Sequence, residues 1–277
     1  MLARAQTWWT ILRICIEERL VYRGDFMLGT LMRFMPIITQ IFLWTAVYAA
    51  ASRATLPGGF SKDDVIAYYL LTMVGRAFSS MPGLASGIAR QIREGEIKKF
   101  LIQPIDLIGF LLLARIAHKL VYYAVAIIPF GLVFYLCRDF FTQGWPPAPV
   151  LAAFVLSLIM SFLLGFFLEA AIGMIGFWFL EVSSLLFVYM LFNFFFSGHM
   201  FPLTFLTEFL PGWLQPVMQY QPLQYLAYFP AAVFLGKISG PELVQGLMVQ
   251  AIWVVVFVVV CRVAMQRGFK RYSGYGG

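Results

Sequence analysis

Charged and reactive side chains are scarce in this chain. Asp, Glu, Lys and Arg make up only 12% of the 277 residues, and there are three cysteines and two histidines. The cysteines are odd in number and scattered, so neither a disulfide framework nor a metal cluster is indicated. The histidines, His118 and His199, belong to no H-E-x-x-H pattern, and no Ser/His/Asp arrangement is apparent. A hydrolytic enzyme is therefore a poor hypothesis.

Two further signals are missing from the sequence. No G-x-x-x-x-G-K-[ST] phosphate loop occurs, so the chain has no usual means of cradling the phosphates of a nucleotide. A cleavable signal peptide is not expected either, because Arg and Glu residues interrupt the opening stretch where its apolar region would lie.

What the chain has in abundance is apolar surface. Hydrophobic residues make up 61% of it, aromatic residues 18%, and the mean hydropathy is +0.83. These values exceed what a soluble core needs, so lipid is the expected solvent. We predict an all-α polytopic membrane protein, one domain over residues 1–277, with six transmembrane helices of about 20 residues each. The six windows are Gly29–Ala51, Val65–Ile88, Leu120–Cys137, Val150–Leu180, Val182–Phe201 and Val244–Met265.

Basic residues fall unevenly on the two sides of the predicted spans. If the N-terminus is inside, the outer side holds only Arg53, Lys62, Arg138 and Lys237, and the other basic residues lie inside except Arg76, which falls within the second window. This asymmetry predicts that both termini are cytoplasmic. It also explains the net charge of +7 through anionic lipid heads, so nucleic acid is not an expected partner.

The opening residues, 1–25, have the pattern of an amphipathic helix that lies in the plane of the membrane. On a helix, Trp8 and Leu12 share one face while Arg13 and Glu17 share the opposite one. The adjacent tryptophans favour the membrane interface over a soluble partner.

Residues 89–106, ARQIREGEIKKFLIQPID, form a charge-rich segment between the second and third windows. If the segment is helical, Glu94 and Lys98 pair at i, i+4, and Pro104 ends the helix. Three apolar residues would then share one face, Ile97, Phe100 and Leu101. The pattern alone fits either a solvated loop or a docking helix.

Residues 198–241 are broken by six prolines interleaved with aromatic residues. We predict short interfacial or re-entrant helices here, because irregular backbone at membrane depth must be buried in protein or line a watery cavity. The segment would cover the outer mouth of the spans as a cap or as a gate. Its proposed outer residues are Gly198, Phe201, Pro202, Pro211 and Trp213.

The order of these elements resembles the membrane subunits of ABC-2 type transporters. IREGEIKKFLIQPID after the second span is similar to that family's cytoplasmic coupling segment, and FSGHMFPLTFLTEFLPGWLQ is similar to its sequence at the end of the fifth span. With YRGDFMLG before the first span and LIQPID after the second, the chain looks closest to compact bacterial permeases that lack their own ATPase domain. The resemblance covers essentially the whole chain.

The resemblance implies an inner-membrane permease that binds no cofactor itself and works with a separate ATPase, which would bind ATP and Mg²⁺. Two permease subunits, identical or related, would pack with two ATPases. The implied coupling residues are Arg93, Glu94, Gly95, Glu96, Lys98, Lys99, Phe100, Leu101 and Pro104.

In the family, the second and fifth spans flank the translocation pathway, so the resemblance implies a set of pathway residues. They are Arg76, Phe78, Met81, Asn193, Phe194 and Phe196. Arg76 could instead form an ion pair with Glu169 or Glu181, and Asn193 could hydrogen-bond between helices.

The resemblance implies export, of a lipid, a lipid-linked glycan or an amphipathic drug, and nothing in the chain suggests a docking surface for an extracellular binding protein. Two alternatives stay open. A proton-coupled secondary transporter could use Glu169 and Arg76, although six spans without an evident repeat are few for such folds. A purely structural membrane subunit would differ only in lacking a substrate path.

Overall fold

The computed structural model describes residues 2–21, 23–51, 55–103, 105–179, 181–207 and 209–272. Apart from one two-stranded hairpin, the regular structure in these ranges is helical. The strands are β1 (Thr55–Leu56) and β2 (Phe60–Ser61), and the α-helices are α1 (Leu2–Val21), α2 (Arg23–Ala51), α3 (Lys62–Ser79), α4 (Leu84–Arg93), α5 (Lys98–Ile102), α6 (Leu107–Leu136), α7 (Ala148–Met174), α8 (Ser183–Phe196), α9 (Thr204–Thr207), α10 (Gln215–Tyr220), α11 (Tyr228–Phe234) and α12 (Gly240–Arg271).

Several of these helices can cross a membrane. Three are long and apolar enough, Leu107–Leu136, Ala148–Phe177 and Gly240–Arg271, and two shorter helices, Pro36–Ala50 and Ser183–Phe196, are also apolar. They overlap the predicted first, third, fourth, fifth and sixth windows. The helical, multi-pass character of the chain is confirmed at this level, and the complete six-span arrangement stays a prediction.

The second predicted window, Val65–Ile88, is not one helix. It is divided between α3 and α4, which are separated by residues 80–83. Pro82 follows the end of α3, and Gly83 has a φ of +72°, a left-handed conformation that interrupts a helix and that glycine adopts without steric cost. The third window was also placed too late, because α6 begins at Leu107 rather than near Leu120.

The contacts divide the chain into two compact units, Met1–Thr39 with Ile97–Arg138, and Gln40–Glu96 with Asp139–Gly277. In the first unit, α1 packs along α6. The half-buried face of α1 includes Trp8 and Leu12, while Arg13 and Glu17 form an exposed ion pair with a separation of 2.8 Å. Gly109 of α6 leaves room for the Trp8 ring, since a Cβ there would lie 3.1 Å from it.

In the second unit, α7 is the central helix, with α3, α4, α11 and α12 packed against it. Glycines let the backbones of α7 and α3–α4 approach closely. A Cβ on Gly165 would lie 2.2 Å from the carbonyl oxygen of Ser79, and one on Gly173 would lie 2.9 Å from that of Ala85. We call this line of contact the glycine seam.

Buried hydrogen bonds join α7, α12 and the segment before α11. The amide of Gln250 donates to the backbone carbonyl of Ser157 (2.9 Å), to Ser161 Oγ (3.1 Å) and to the carbonyl of Tyr225 (3.2 Å). Ser157 donates its hydroxyl to Gln250 Oε1 at 3.0 Å, and Ser161 donates to the Tyr225 carbonyl at 2.6 Å. Because both serines and Gln250 are inaccessible to solvent, the network holds this segment to two membrane helices.

Candidate functional site

The charge-rich segment 89–106 is a helix, a turn and a second short helix, not the single helix expected from its pattern. α4 ends at Arg93, and Gly95 takes a φ of +77° in the turn before α5. This break removes the i, i+4 relationship between Glu94 and Lys98. The expected Glu94–Lys98 pair is therefore wrong: Glu94 pairs with Arg90, with 4.0 Å between Oε2 and Nε. Pro104 lies outside the described residues.

The turn also changes which apolar side chains face outward. Ile97 is fully buried, and Phe100 is buried with its ring 5.6 Å from that of Phe110. Leu101 is 48% exposed and Ile102 is 83% exposed. Phe100 is therefore packed within the first unit. Sequence reasoning missed Ile102 because it assumed one continuous helix.

The two exposed apolar residues, Leu101 and Ile102, follow a strongly charged sequence. Within residues 94–99, four charged side chains are exposed on the surface. They are Glu94, Glu96, Lys98 and Lys99. We call residues 94–102 the coupling turn.

A cavity of about 420 Å³ lies in the second unit, between α4 and the start of α8. α4 buries one face, which includes Leu84, Ile88 and Ile92. Its other face borders the cavity with Arg90 and Arg93, and the opposite wall is the start of α8. The residues of that wall are Glu181, Val182, Ser183 and Leu186. We call this space the α4–α8 cavity.

Glu181 precedes Val182, the N-cap residue of α8, and accepts a hydrogen bond from the first turn of that helix. Its Oε1 accepts the backbone N–H of Ser183 at 2.9 Å. Hydrogen bonds from the Ser183 side chain and backbone lower the pKa of Glu181, and attraction to Arg93 adds to this effect. Sequence reasoning had considered Glu181 only as a partner for Arg76. The available signal was an acidic residue just before the N-terminus of an apolar helix, where a negative charge is stabilised.

The expected pathway residues fall into different environments. Met81 is fully buried in the break between α3 and α4, and Phe78 is half-buried. Arg76 is exposed and interacts electrostatically with His199. Glu169 interacts electrostatically with Tyr189.

None of the side chains of α8 is buried. Phe194 is exposed, while Phe196 is half-buried and its ring stacks on that of Phe192 with centroids 5.5 Å apart. The side-chain oxygen of Asn193 is shielded from solvent and has no hydrogen-bond partner among the described residues. α8 thus has one half-buried face, which includes Asn193 and Phe196, and its other faces expose mainly apolar side chains.

The start of the outer segment is anchored to α3 by tyrosines. Tyr68 donates its hydroxyl to the carbonyl of Gly198 at 2.5 Å, and Tyr69 donates to the carbonyl of Met200. Gly198 has a φ of +85°, and a Cβ there would lie 2.6 Å from the Tyr68 oxygen. Of the other expected outer residues, Phe201 is half-buried. Pro202 is buried, whereas Pro211 and Trp213 are exposed.

Lys237 connects the end of the outer segment to the start of α3 and to the loop of the β1–β2 hairpin. Lys237 Nζ lies 2.8 Å from Asp64 Oδ2, donates to the carbonyl of Gly59 at 2.9 Å, and lies 5.0 Å from the centre of the Phe60 ring. The same Asp64 oxygen accepts the backbone N–H of Ser61 and completes a capping box at the start of α3. We call the Lys237–Asp64 pair, with its Gly59 contact, the outer clasp. The sequence S-K-D-D signalled the capping box but not the lysine.

Metal chemistry finds no support in the part of the chain that the structure describes, where no group of three or more His, Cys, Asp or Glu side chains is placed to hold a metal ion.

The family model described as "ABC-2 family transporter protein" matches residues 34–276. No curated protein matches the chain. The matched range includes the coupling turn, the glycine seam, the outer segment and both sides of the outer clasp.

Proposed function

Because the chain belongs to the ABC-2 family of transporter membrane proteins, we propose that it is the permease subunit of an ATP-driven exporter whose ATPase is a separate subunit. The family match extends over most of the chain and supports a transporter role for the whole domain. The finer parts of the proposal are the ATPase contact, the partner permease, the direction of transport and the class of substrate.

The coupling turn is the observation that carries the ATPase contact. Leu101 and Ile102 are exposed, and charged residues surround them in the sequence. Apolar side chains inside a polar rim are the usual anatomy of a protein interface. The proposed contact therefore comprises Glu94, Gly95, Glu96, Lys98, Lys99, Leu101 and Ile102. Phe100 instead supports the turn from inside, and Arg93 borders the α4–α8 cavity.

The packing of α4 on α7 offers a mechanical route into the membrane. α4 directly precedes the coupling turn, and the glycine seam joins α3 and α4 to α7. A nucleotide-dependent displacement of the ATPases would bias these helices between an inward-facing and an outward-facing arrangement. In this proposal ATP and Mg²⁺ belong to the two ATPase subunits, and this chain holds no cofactor.

The outer segment closes the far end of the pathway in this proposal. The tyrosine bonds at Gly198 and Met200 hold its beginning, and the outer clasp holds its end. Phe201, Pro202, Pro211 and Trp213 belong to the segment between these two attachments. A segment attached at both ends can serve as a cap whose middle part moves.

The exposed apolar faces of α8 support the proposed second permease subunit, whether identical or related, and contact with membrane lipids. Its apolar, aromatic surface also suits a lipid, a glycan carried on a lipid, or an amphipathic drug-like substrate. Arg76, Asn193 and Phe194 remain the proposed pathway residues on α3 and α8. The charge asymmetry supports a bacterial inner membrane location with cytoplasmic termini.

The test is the paired change Leu101→Ala and Ile102→Ala, measured by ATPase co-purification and by ATP-dependent transport in vesicles. Removal of well-buried interface anchors typically costs about 2 kcal/mol or more. We expect normal abundance in the membrane, reduced ATPase recovery and reduced transport.

A matched control is Ile127→Ala with Ile128→Ala. These two residues are also adjacent and apolar, and they are 71% and 77% exposed, but they lie within a membrane-spanning helix. The control should retain ATPase recovery. Normal ATPase recovery and transport in the Leu101/Ile102 variant would overturn the proposed contact.

A further inference from the structure

We propose that the α4–α8 cavity binds the phosphodiester headgroup of an anionic membrane phospholipid. The inference concerns lipid binding by this chain itself. It does not depend on the ATPase contact or on the direction of transport.

The basic side of the cavity suits a phosphate. Arg90 and Arg93 are three residues apart on α4, so both lie on the helix face that borders the cavity. Guanidinium groups bind phosphate oxygens through two parallel hydrogen bonds. Arg90 keeps most of its capacity for such a contact, because its side chain is largely exposed and its pairing with Glu94 is at the 4.0 Å limit.

The opposite wall limits the charge of the ligand. Glu181 contributes one carboxylate against the two arginines, so the cavity lining carries a formal charge of +1. The Ser183 backbone N–H and the Ser183 side chain both stabilise the ionised carboxylate. A single negative charge on a phosphodiester would neutralise the lining. A zwitterionic headgroup has no net charge and would leave the positive charge of the lining uncompensated.

The apolar surroundings favour a lipid over a soluble phosphate. Val182 and Leu186 line the cavity, and the next turns of α8 expose Phe187 and Met190. An amphiphile could thus place its phosphate between the arginines and its acyl chains along α8. Basic pockets between membrane helices commonly bind lipid heads in this way. The volume of about 420 Å³ is within the range of small-ligand sites.

The experiment uses the purified full-length chain, with lipid binding measured by native mass spectrometry. The titrated lipids are phosphatidylglycerol, which carries one net negative charge, and phosphatidylethanolamine, which is zwitterionic. We expect preferential binding of phosphatidylglycerol, and we expect Arg90→Gln with Arg93→Gln to weaken that binding at least about tenfold.

Two further variants sharpen the test. Arg267→Gln with Arg271→Gln removes two exposed arginines from α12 and should change binding far less. Glu181→Gln removes the opposing carboxylate but keeps an oxygen that can accept the Ser183 N–H, so it should strengthen phosphatidylglycerol binding. This expected gain tests the proposal even if the double arginine variant folds poorly.

Inorganic phosphate serves as the competing soluble anion and should displace little lipid. Efficient displacement by inorganic phosphate would overturn the lipid assignment. Equal affinity for the two lipids, or equal losses in the α4 and α12 variants, would overturn the site. Because no ATPase is present, failure here would leave the proposed transport function standing, and the converse also holds.

Discussion

Lys237 and Asp64 form an ion pair of 2.8 Å between residues 173 positions apart in the sequence, and both side chains are largely shielded from solvent. Asp64 is at once the partner of Lys237 and part of the cap of α3. The pair therefore connects the end of the outer segment to the start of a helix in the second unit.

Removal of Lys237 should destabilise the protein markedly. Lys237→Met would leave Asp64 buried without its cation, and breaking one side of a buried pair costs about 3–5 kcal/mol. We expect a lower denaturation temperature in detergent. The second change, Asp64→Asn, should recover part of the loss, and a double-mutant cycle measures the coupling. A purely additive result would show that the two side chains do not interact.

A methyl group in the glycine seam should also be costly. Gly165→Ala would place a Cβ against the carbonyl oxygen of Ser79, and overpacking of this kind costs about 1–3 kcal/mol. Gly131→Ala in α6 is a matched control, since nothing lies within 4 Å of a Cβ built there. Thermal denaturation should distinguish the two variants. Equal stability would mean that α3 and α7 are farther apart than the structure has them.

The buried amide of Gln250 provides a third test. Gln250→Leu would remove hydrogen bonds to Ser157, Ser161 and the Tyr225 carbonyl. Interhelical hydrogen bonds in membranes contribute about 0.6 kcal/mol on average and at most about 1.7 kcal/mol. We therefore expect a moderate decrease in melting temperature and faster proteolysis near Tyr225. The exposed Gln266→Leu is the control, and an equal effect there would contradict the role of the network.

The proposed orientation can be checked by cysteine labelling in a background without Cys15, Cys137 and Cys261. Gln143→Cys should react with a membrane-impermeant maleimide in intact cells. Lys98→Cys should react only after permeabilisation. Both positions are exposed, so access to the side chain does not differ. Reaction of Lys98→Cys in intact cells would contradict a cytoplasmic coupling turn.

The sequence predicted the apolar helices well because lipid exposure demands long apolar runs, which are a local property. It identified residues 89–106 as a charge-rich segment between apolar stretches but misassigned the faces of that segment. One glycine in a left-handed conformation, Gly95, sends Phe100 inward and leaves Ile102 exposed. A periodic pattern cannot show where such a break falls.

Contacts between residues far apart in the sequence could not be predicted from local patterns. The spacing of Lys237 and Asp64 gives no hint of contact, and neither does that of Gln250 and Ser157. The α4–α8 cavity was missed for the same reason, since its two walls come from separate parts of the chain. These features depend on the packing of helices, which one sequence does not specify by periodicity.

The glycine seam restricts how the second unit can move. Since Ser79 and Ala85 carbonyls occupy the space where Cβ atoms of α7 would stand, a rotation of α7 that turned larger side chains toward them would cause steric overlap. The low-energy displacements that remain are sliding along the seam and movement of α3, α4 and α7 as one body. A displacement of α4 near Arg93 would thus be transmitted through α7 to α11 and α12, which also pack on α7. The helices would move together, with little local deformation.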